Sequence, residues 1–214
     1  FYHSNIYLNI IIILLIITGG IGFLVWGDIG THKHRIRRFS LQSKVVLMTS
    51  AVLIVLPALY FFFFEYDHET IHDRTIHSLF QSVTTRTAGF NTTDLAAMDE
   101  SGTAIMIILM LIGGSPGSTA GGMKTATFAV LFLSAITVLS RRNDVQCFKR
   151  RISDEAVRSA GAVLFMYLVS FFTSGIIISR VENLPLLTCL FETSSAIGTV
   201  GLSLGITSGL SAVS

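Results

Sequence analysis

The chain has 214 residues, of which 51% are hydrophobic and 13% charged, and its mean hydropathy is +0.68. Soluble domains carry about 25% charged residues, so this composition excludes an ordinary soluble protein and predicts an integral membrane protein. The net charge of +2 is less informative about topology than the positions of the charged residues along the chain. We expect no nucleic-acid partner. Cys147 and Cys189 fit neither a metal-binding nor a disulfide pattern.

The first apolar run, residues 6–26, is long enough for one membrane-spanning helix. The next segment, residues 27–44, is rich in basic residues and has Asp28 as its one acid. Its basic residues are Lys33, Arg35, Arg37, Arg38 and Lys44. By the positive-inside rule this segment is predicted to be cytoplasmic.

Residues 45–64 form a second predicted span, which runs outward and carries Pro57 as a kink. Residues 65–100 hold seven acidic residues and are predicted to lie outside. Within them, residues 71–83 have the spacing of a helix too short to cross a bilayer. A half-helix that enters and returns on one face is tolerated where its backbone lines a protein-enclosed path. The histidines of this outer region offer no completed ligand set, so no zinc site is expected.

Two short apolar helices are predicted at 105–112 and 123–139, on either side of the glycine-rich loop 113–122. Either the two helices form a hairpin, or they are one crossing with a broken middle. The next segment, 140–158, is basic and therefore predicted to be cytoplasmic, which only the broken crossing satisfies. Its basic residues are Arg141, Arg142, Lys149, Arg150, Arg151 and Arg158.

Ser153 is a predicted N-cap, with Asp154 and Glu155 in the first helical turn. Residues 159–179 cross outward again, and Pro185 starts a second short helix. A basic loop, an outward span, a short helix and a Thr-x-Gly segment therefore follow one another twice. At an offset of 112 residues Gly89 falls on Gly201, which predicts a parallel internal repeat.

The two Thr-x-Gly segments have the features of an ion filter. A row of backbone carbonyls can replace the water shell of a cation, and glycine permits the backbone angles that aim carbonyls one way. The predicted filter residues are Thr87, Ala88, Gly89 and Phe90 in the first segment, and Thr199, Val200, Gly201 and Leu202 in the second. The one metal expected there is a monovalent cation.

Two charged residues flank these segments. The positive charge of Arg86 would repel a cation that passes between the two filter segments. We therefore predict that Arg86 points away from the ion path, towards a helix end or an acid such as Glu192, and acts as a structural clamp. Glu192 is either a clamp partner or an attractor at the outer mouth.

The glycine-rich loop superficially resembles a phosphate-binding loop, but Met123 separates Gly122 from Lys124, which excludes nucleotide binding. The loop would interrupt a membrane helix within the bilayer, and we interpret this interruption as a gate beside the conduction path. The alternative is a static kink that serves only helix packing. The predicted gate residues are Gly113, Gly114, Ser115, Pro116, Gly117, Ser118, Thr119, Ala120, Gly121, Gly122 and Lys124. No nucleophile with a base is found, so an enzyme is not expected.

Residues 84–91, the loop 113–122 with Lys124, and residues 196–203 together resemble the Trk/Ktr/HKT superfamily of cation-transport subunits, most closely the bacterial KtrB-like ones. The resemblance implies an all-α integral membrane fold of helix–re-entrant pore loop–helix repeats around one potassium-channel-like pore, with one broken inner helix. It implies K⁺ uptake across the plasma membrane, with or without Na⁺ dependence, and no cofactor. It also implies a homodimer on a cytosolic nucleotide-binding regulatory ring.

By this resemblance residues 1–30 contain the closing helix of a second repeat, residues 31–140 the third repeat with its gating loop, and residues 141–214 the fourth repeat through its filter. Two filters and a final helix are then expected elsewhere. Each filter keeps only one glycine, which predicts weak discrimination between K⁺ and Na⁺. The alternative is an alternating-access secondary cation transporter, which also uses broken helices but with inverted repeats.

Overall fold

The structure, a computed structural model, describes residues 5–33, 35–141, 144–148 and 150–211 and is mostly helical. Residues 1–4 and 212–214 of the predicted domains, and Arg142 and Lys149 of the predicted basic loop, lie outside the described residues. Within the described ranges, two helical stretches are long and apolar enough to cross a membrane, Leu41–Glu65 and Asp154–Glu182. A third span results if a bent pair of helices near the start counts as one. The chain is therefore a membrane protein.

The first predicted span is broken in the structure. Helix α1 (Ile6–Ile21) and helix α2 (Phe23–His32) meet at an angle of 92°. The run 6–26 that was predicted as one spanning helix is therefore interrupted at Gly22. The bend lies at Gly22, whose φ is 90°, and it is held from outside, because the amide of Phe23 donates to the carbonyl of Gly117 at 3.0 Å.

We expect Gly22→Ala to destabilise this bend by about 1–3 kcal/mol, because a non-glycine residue there is strained. The added methyl group would also lie 2.7 Å from the carbonyl oxygen of Pro116. The matched control is Gly27→Ala in α2, where nothing lies within 4 Å of the added atom and helix propensity favours alanine. Thermal unfolding of the detergent-solubilised complete protein measures both. Equal midpoints for the two variants would contradict the expectation.

Helix α3 (Leu41–Tyr60) starts at the N-cap Ser40, whose hydroxyl accepts the amide of Ser43 at 3.2 Å. Pro57 lies inside α3, and a turn of π-helix (Phe61–Glu65) follows it. A proline removes one backbone donor and commonly disturbs the helix near it. Helix α4 (Ile71–Thr84) begins at the N-cap Thr70 and matches the short helix predicted at 71–83.

Helix α5 (Glu100–Leu111) and helix α6 (Thr125–Leu139) flank the glycine-rich loop. Ile112 and Met123 form a parallel bridge, in which the amide of Gly113 donates to the carbonyl of Met123 at 2.9 Å. A parallel bridge means that the chain leaves the loop in the direction in which it entered. This is the local geometry expected of one interrupted helix rather than of a hairpin.

The basic segment after α6 contains a small hairpin of strands β1 (Gln146–Cys147) and β2 (Arg150–Arg151). Apart from this hairpin and the bridge at Ile112, the regular structure of the described residues is helical, in agreement with the expected fold class. Helix α7 (Asp154–Glu182) begins at Ser153, whose hydroxyl accepts the amide of Ala156 at 3.3 Å, which confirms the predicted N-cap. Helix α8 (Leu186–Ile197) follows Pro185.

The helices pack in the same way in the two halves of the chain. Short helix α4 contacts α3 and α1, and short helix α8 contacts α7 and α5. Each short helix therefore lies between the long helix that precedes it and a helix from earlier in the chain. The fully buried side chains of Phe61, Met106, Met110 and Phe191 lie in the main hydrophobic cluster, which packs α5 against α8.

Candidate functional site

The two Thr-x-Gly segments adopt the same unusual backbone conformation. Thr87 and Gly89 have φ values of 61° and 71°, and Thr199 and Gly201 have φ values of 55° and 91°. A threonine in the left-handed region is strained, since its side chain is β-branched. The two segments, which lie 112 residues apart, therefore share this local backbone conformation.

The two segments lie against each other. A methyl group built on Gly89 would overlap the carbonyl oxygen of Val200 and lie 3.3 Å from the carbonyl carbon of Gly201. One built on Gly201 would lie 4.0 Å from the Cα atom of Gly89. Bare glycine at position 89 is therefore what lets the two backbones come together.

The backbone carbonyls of these segments lack protein partners. Within the described ranges, no hydrogen bond reaches the carbonyl oxygens of Thr87, Ala88, Gly89, Thr199, Val200, Gly201 or Leu202, whereas Phe90 accepts the Thr84 hydroxyl. A run of unpaired carbonyls at the meeting point of two segments is the arrangement that a dehydrated cation requires.

Arg86 points away from the second segment. The residue is 7% exposed, and its guanidinium donates to the carbonyl and hydroxyl oxygens of Ser50 in α3, both at 3.3 Å. The expectation that it turns to an acid such as Glu192 is not met, because the two residues contact different elements. The other expected position, at a helix end, is not met either, because Ser50 lies in the middle of α3.

Glu192 holds the chain that follows the second segment. Its Oε1 accepts the hydroxyl of Ser203 and the amide of Leu204, and its Oε2 accepts the hydroxyl of Thr207, each at 2.8 Å. Hydrogen bonds to a carboxylate are stronger than those between neutral groups. The sequence identified Glu192 but not its partners, which lie on a segment without a recognisable motif.

Glu192→Ala is expected to lower the stability of the complete protein by about 2–3 kcal/mol, since two hydroxyls and one amide lose a charged acceptor. The matched control is Glu155→Ala at the exposed start of α7, for which we expect at most about 1 kcal/mol. Thermal unfolding in detergent compares the two. A Glu192→Ala midpoint no lower than that of the control would count against a clamp.

The chain that follows the first segment is held by hydrogen bonds between neutral groups, not by a carboxylate. The hydroxyl of Thr93 donates to Oε1 of the buried Gln81 at 3.3 Å and lies 3.2 Å from the hydroxyl of Tyr66. Burial raises the pKa of Tyr66 to about 12, so this hydroxyl keeps its proton at physiological pH. Sequence inspection missed these three residues, because a lone glutamine in an amphipathic helix has no distinguishing pattern.

The glycine-rich loop lies directly beside the second segment. A methyl group on Gly121 would overlap the side chain of Thr199, and one on Gly122 would lie 3.5 Å from the carbonyl oxygen of Gly198. Gly198 in turn packs against the carbonyl of Met110 at the end of α5. A cleft bordered by Arg86, Thr87 and Ala88 on one side and Thr119 and Ala120 on the other extends the contact to the first segment.

Hydrogen bonds tie the loop down at both ends. The amide of Ser115 donates to the carbonyl of Gly20 at 3.0 Å, and the hydroxyl of Thr125 lies 3.2 Å from that of Ser115. Nζ of Lys124 donates to the carbonyl of Ala120 at 2.6 Å. Lys124 therefore folds back onto the loop.

The histidines of the outer region do not converge. Nδ1 of His77 lies 2.8 Å from Oε2 of Glu69, and His68 and His72 are exposed beside aspartates. His77 lies in α4 with 14% of its side chain exposed. In the described part of the chain, no group of three His, Cys, Asp or Glu side chains has the arrangement of a metal site.

The sequence matches the TrkH family, described as cation transport protein, over residues 1–214. It is 35% identical to the potassium/sodium uptake protein NtpJ of Enterococcus hirae over 219 residues, which cover 98% of this chain and 48% of that protein. It is 38% identical to the Ktr system potassium uptake protein B of Bacillus subtilis, over 93% of this chain and 46% of that protein. The chain thus spans about half the length of these relatives.

The fold is also similar to a solved one. The crystal structure of the potassium transporter TrkH from Vibrio parahaemolyticus superposes with a TM-score of 0.75 over 92% of this chain and 44% of that chain, at 18% sequence identity. At that identity the likeness concerns the fold alone.

Proposed function

Because the chain belongs to the TrkH family of cation transport proteins, we propose that it forms part of the pore of a membrane subunit that takes up K⁺, with or without Na⁺ dependence. The observation that carries the proposal is the pair of Thr-x-Gly turns, which bring unpaired backbone carbonyls together. The names of the relatives, potassium/sodium uptake protein and potassium uptake protein, agree with this ion.

In this proposal α4 and α8 are half-helices that enter the plasma membrane from the outer face and return as the filter residues 87–90 and 199–202. The basic segments 27–44 and 140–158 are cytoplasmic. The lengths of α4 and α8, 14 and 12 residues, support this topology, since a crossing needs about 20. Residues 1–30, 31–140 and 141–214 then belong to a second, third and fourth repeat, and the complete protein supplies the others.

The glycine-rich loop is the proposed gate. It interrupts the inner helix formed by α5 and α6, it touches Thr199 through Gly121, and Lys124 places a positive charge on it. A cation leaving the two carbonyl rows would meet this loop and this charge. Arg86 and Glu192 act as clamps that hold the two turns from outside the ion path.

The relatives from Bacillus subtilis and Escherichia coli are named as parts of a Ktr system and a Trk system. We propose by analogy that the complete protein works with further components, as a homodimer on a cytosolic nucleotide-binding ring. Transport itself needs no cofactor in this chain.

The function is tested by expressing the complete protein in cells that lack their own K⁺ uptake systems. We expect growth at low external K⁺ and uptake of Rb⁺ as a K⁺ tracer, both abolished by Gly201→Asp, because a carboxylate would occupy the space of the ion. Unchanged K⁺ accumulation and ion selectivity in that variant, present at wild-type levels in the membrane, would exclude the proposed filter.

A further inference from the structure

A cleft of basic side chains lies between the end of α2 and the start of α3. Its walls are formed by Thr31, His32, Lys33, Arg35 and Arg38. Lys33, Arg35 and Arg38 are exposed, and so is the neighbouring Arg37. Among the residues that the structure describes, none of these four side chains forms an ion pair.

The nearby carboxylate is used for another purpose. Oδ2 of Asp28 accepts the amide of Ser40 at 2.9 Å and the hydroxyl of Ser43 at 2.5 Å, so it ties α2 to the first turn of α3. Its Oδ1 lies 3.9 Å from Nδ1 of His32, beyond hydrogen-bond distance. Asp28 thus fixes the shape of the cleft, and the guanidinium groups at its rim keep their donors free.

This inference rests on the proposed topology, in which the segment 27–44 lies at the cytoplasmic membrane surface. The cleft precedes the long apolar stretch Leu41–Glu65 in the chain. The bend of 92° turns α2 away from the direction of α1. Large apolar side chains of α2 and of the turn after it are uncovered, with Phe23 74%, Trp26 43% and Ile36 63% exposed. Aromatic and apolar residues beside basic ones are typical of the bilayer interface.

We infer that this cleft binds the headgroup of an anionic phospholipid. Arginine guanidinium groups bind phosphate oxygens through paired N–H donors, and Arg35 and Arg38 border one cleft. Phe23, Trp26 and Ile36 provide the apolar surface that acyl chains of the same lipid contact. A soluble anion would use the arginines but would leave these apolar side chains exposed, which is why the lipid is the occupant that fits.

The inference is tested with Trp26, the one tryptophan of the 214 residues, because it lies in α2, whose C-terminal end borders the cleft. The complete protein, with any tryptophan elsewhere replaced by phenylalanine, is placed in phosphatidylcholine vesicles. Part of the lipid is then exchanged for phosphatidylglycerol or phosphatidylcholine with bromine near the headgroup end of its acyl chains. At equal bromine content we expect brominated phosphatidylglycerol to quench Trp26 more strongly.

The variant R35Q/R38Q should lose this preference by about tenfold or more, since each basic residue near an anionic surface contributes about fivefold to binding. The matched control R150Q/R158Q removes the same charge from exposed positions elsewhere and should keep the preference. Equal quenching by both lipids, or a preference that survives R35Q/R38Q, overturns the inference. So does loss of the preference in millimolar inorganic phosphate at constant ionic strength, which would indicate a soluble-anion site. The readout is lipid binding, so it stands apart from transport.

Discussion

Gly89→Ala is expected to lower K⁺ uptake by the complete protein about a hundredfold. The left-handed φ of 71° at this position costs alanine about 1–2 kcal/mol. The methyl group would in addition overlap the carbonyl oxygen of Val200 and push apart the two carbonyl rows. A total penalty of about 3 kcal/mol corresponds to about a hundredfold in rate. Rb⁺ uptake at equal membrane expression measures it.

Two further alanine variants separate overlap from backbone strain. Gly201→Ala keeps the strain of a positive φ, 91°, but its methyl group would meet only the Cα atom of Gly89 at 4.0 Å. We expect about a tenfold loss there, from strain alone. Gly209→Ala lies in the same C-terminal region with nothing within 4 Å and should be close to wild type. A Gly89→Ala variant as active as Gly209→Ala would refute the close approach of the two turns.

Shortening the glycine-rich loop is expected to increase passive K⁺ flux about tenfold or more, since removal of even about 1.4 kcal/mol of barrier gives tenfold. Residues 115–119 can be deleted by joining Gly114 to Ala120, because these two residues already lie against each other. The hydrogen bond from the amide of Gly113 to the carbonyl of Met123 stays in place at the base. Efflux of Rb⁺ from loaded vesicles measures the leak.

The control keeps the loop length and replaces Ser118 and Thr119 by alanine, which removes hydroxyls but not the obstruction, so its leak should remain near wild type. Loss of all transport in the folded deletion variant would instead indicate an essential moving element, as in an alternating-access transporter. An unchanged leak would support a static packing kink.

Local sequence patterns were sufficient to predict those structural features that depend only on neighbouring residues. The N-cap at Ser153 and the short helix before residue 85 follow from neighbouring residues alone. The two Thr-x-Gly turns also follow, since the sequence repeats at a fixed offset and both turns take the same φ signs.

Contacts between distant segments were not predictable in the same way. The bend at Gly22 depends on the backbone of Gly117, and an apolar run of uniform composition contains no sign of it. Arg86 selects Ser50 rather than Glu192 because α3 packs beside α4. The partners of Glu192 are set by where the chain folds after Leu202. Each of these contacts depends on how distant segments pack together, and the residue pattern within a single helix or loop does not predict that packing.

The central claim is that the carbonyls of residues 87–89 and 199–202 hold a dehydrated monovalent cation. The most direct measurement is anomalous X-ray scattering from crystals of the complete protein grown in Rb⁺. We predict an anomalous peak within coordination distance of carbonyl oxygens from both turns. A well-ordered structure with Rb⁺ density only elsewhere, or with none between Gly89 and Gly201, would contradict the account.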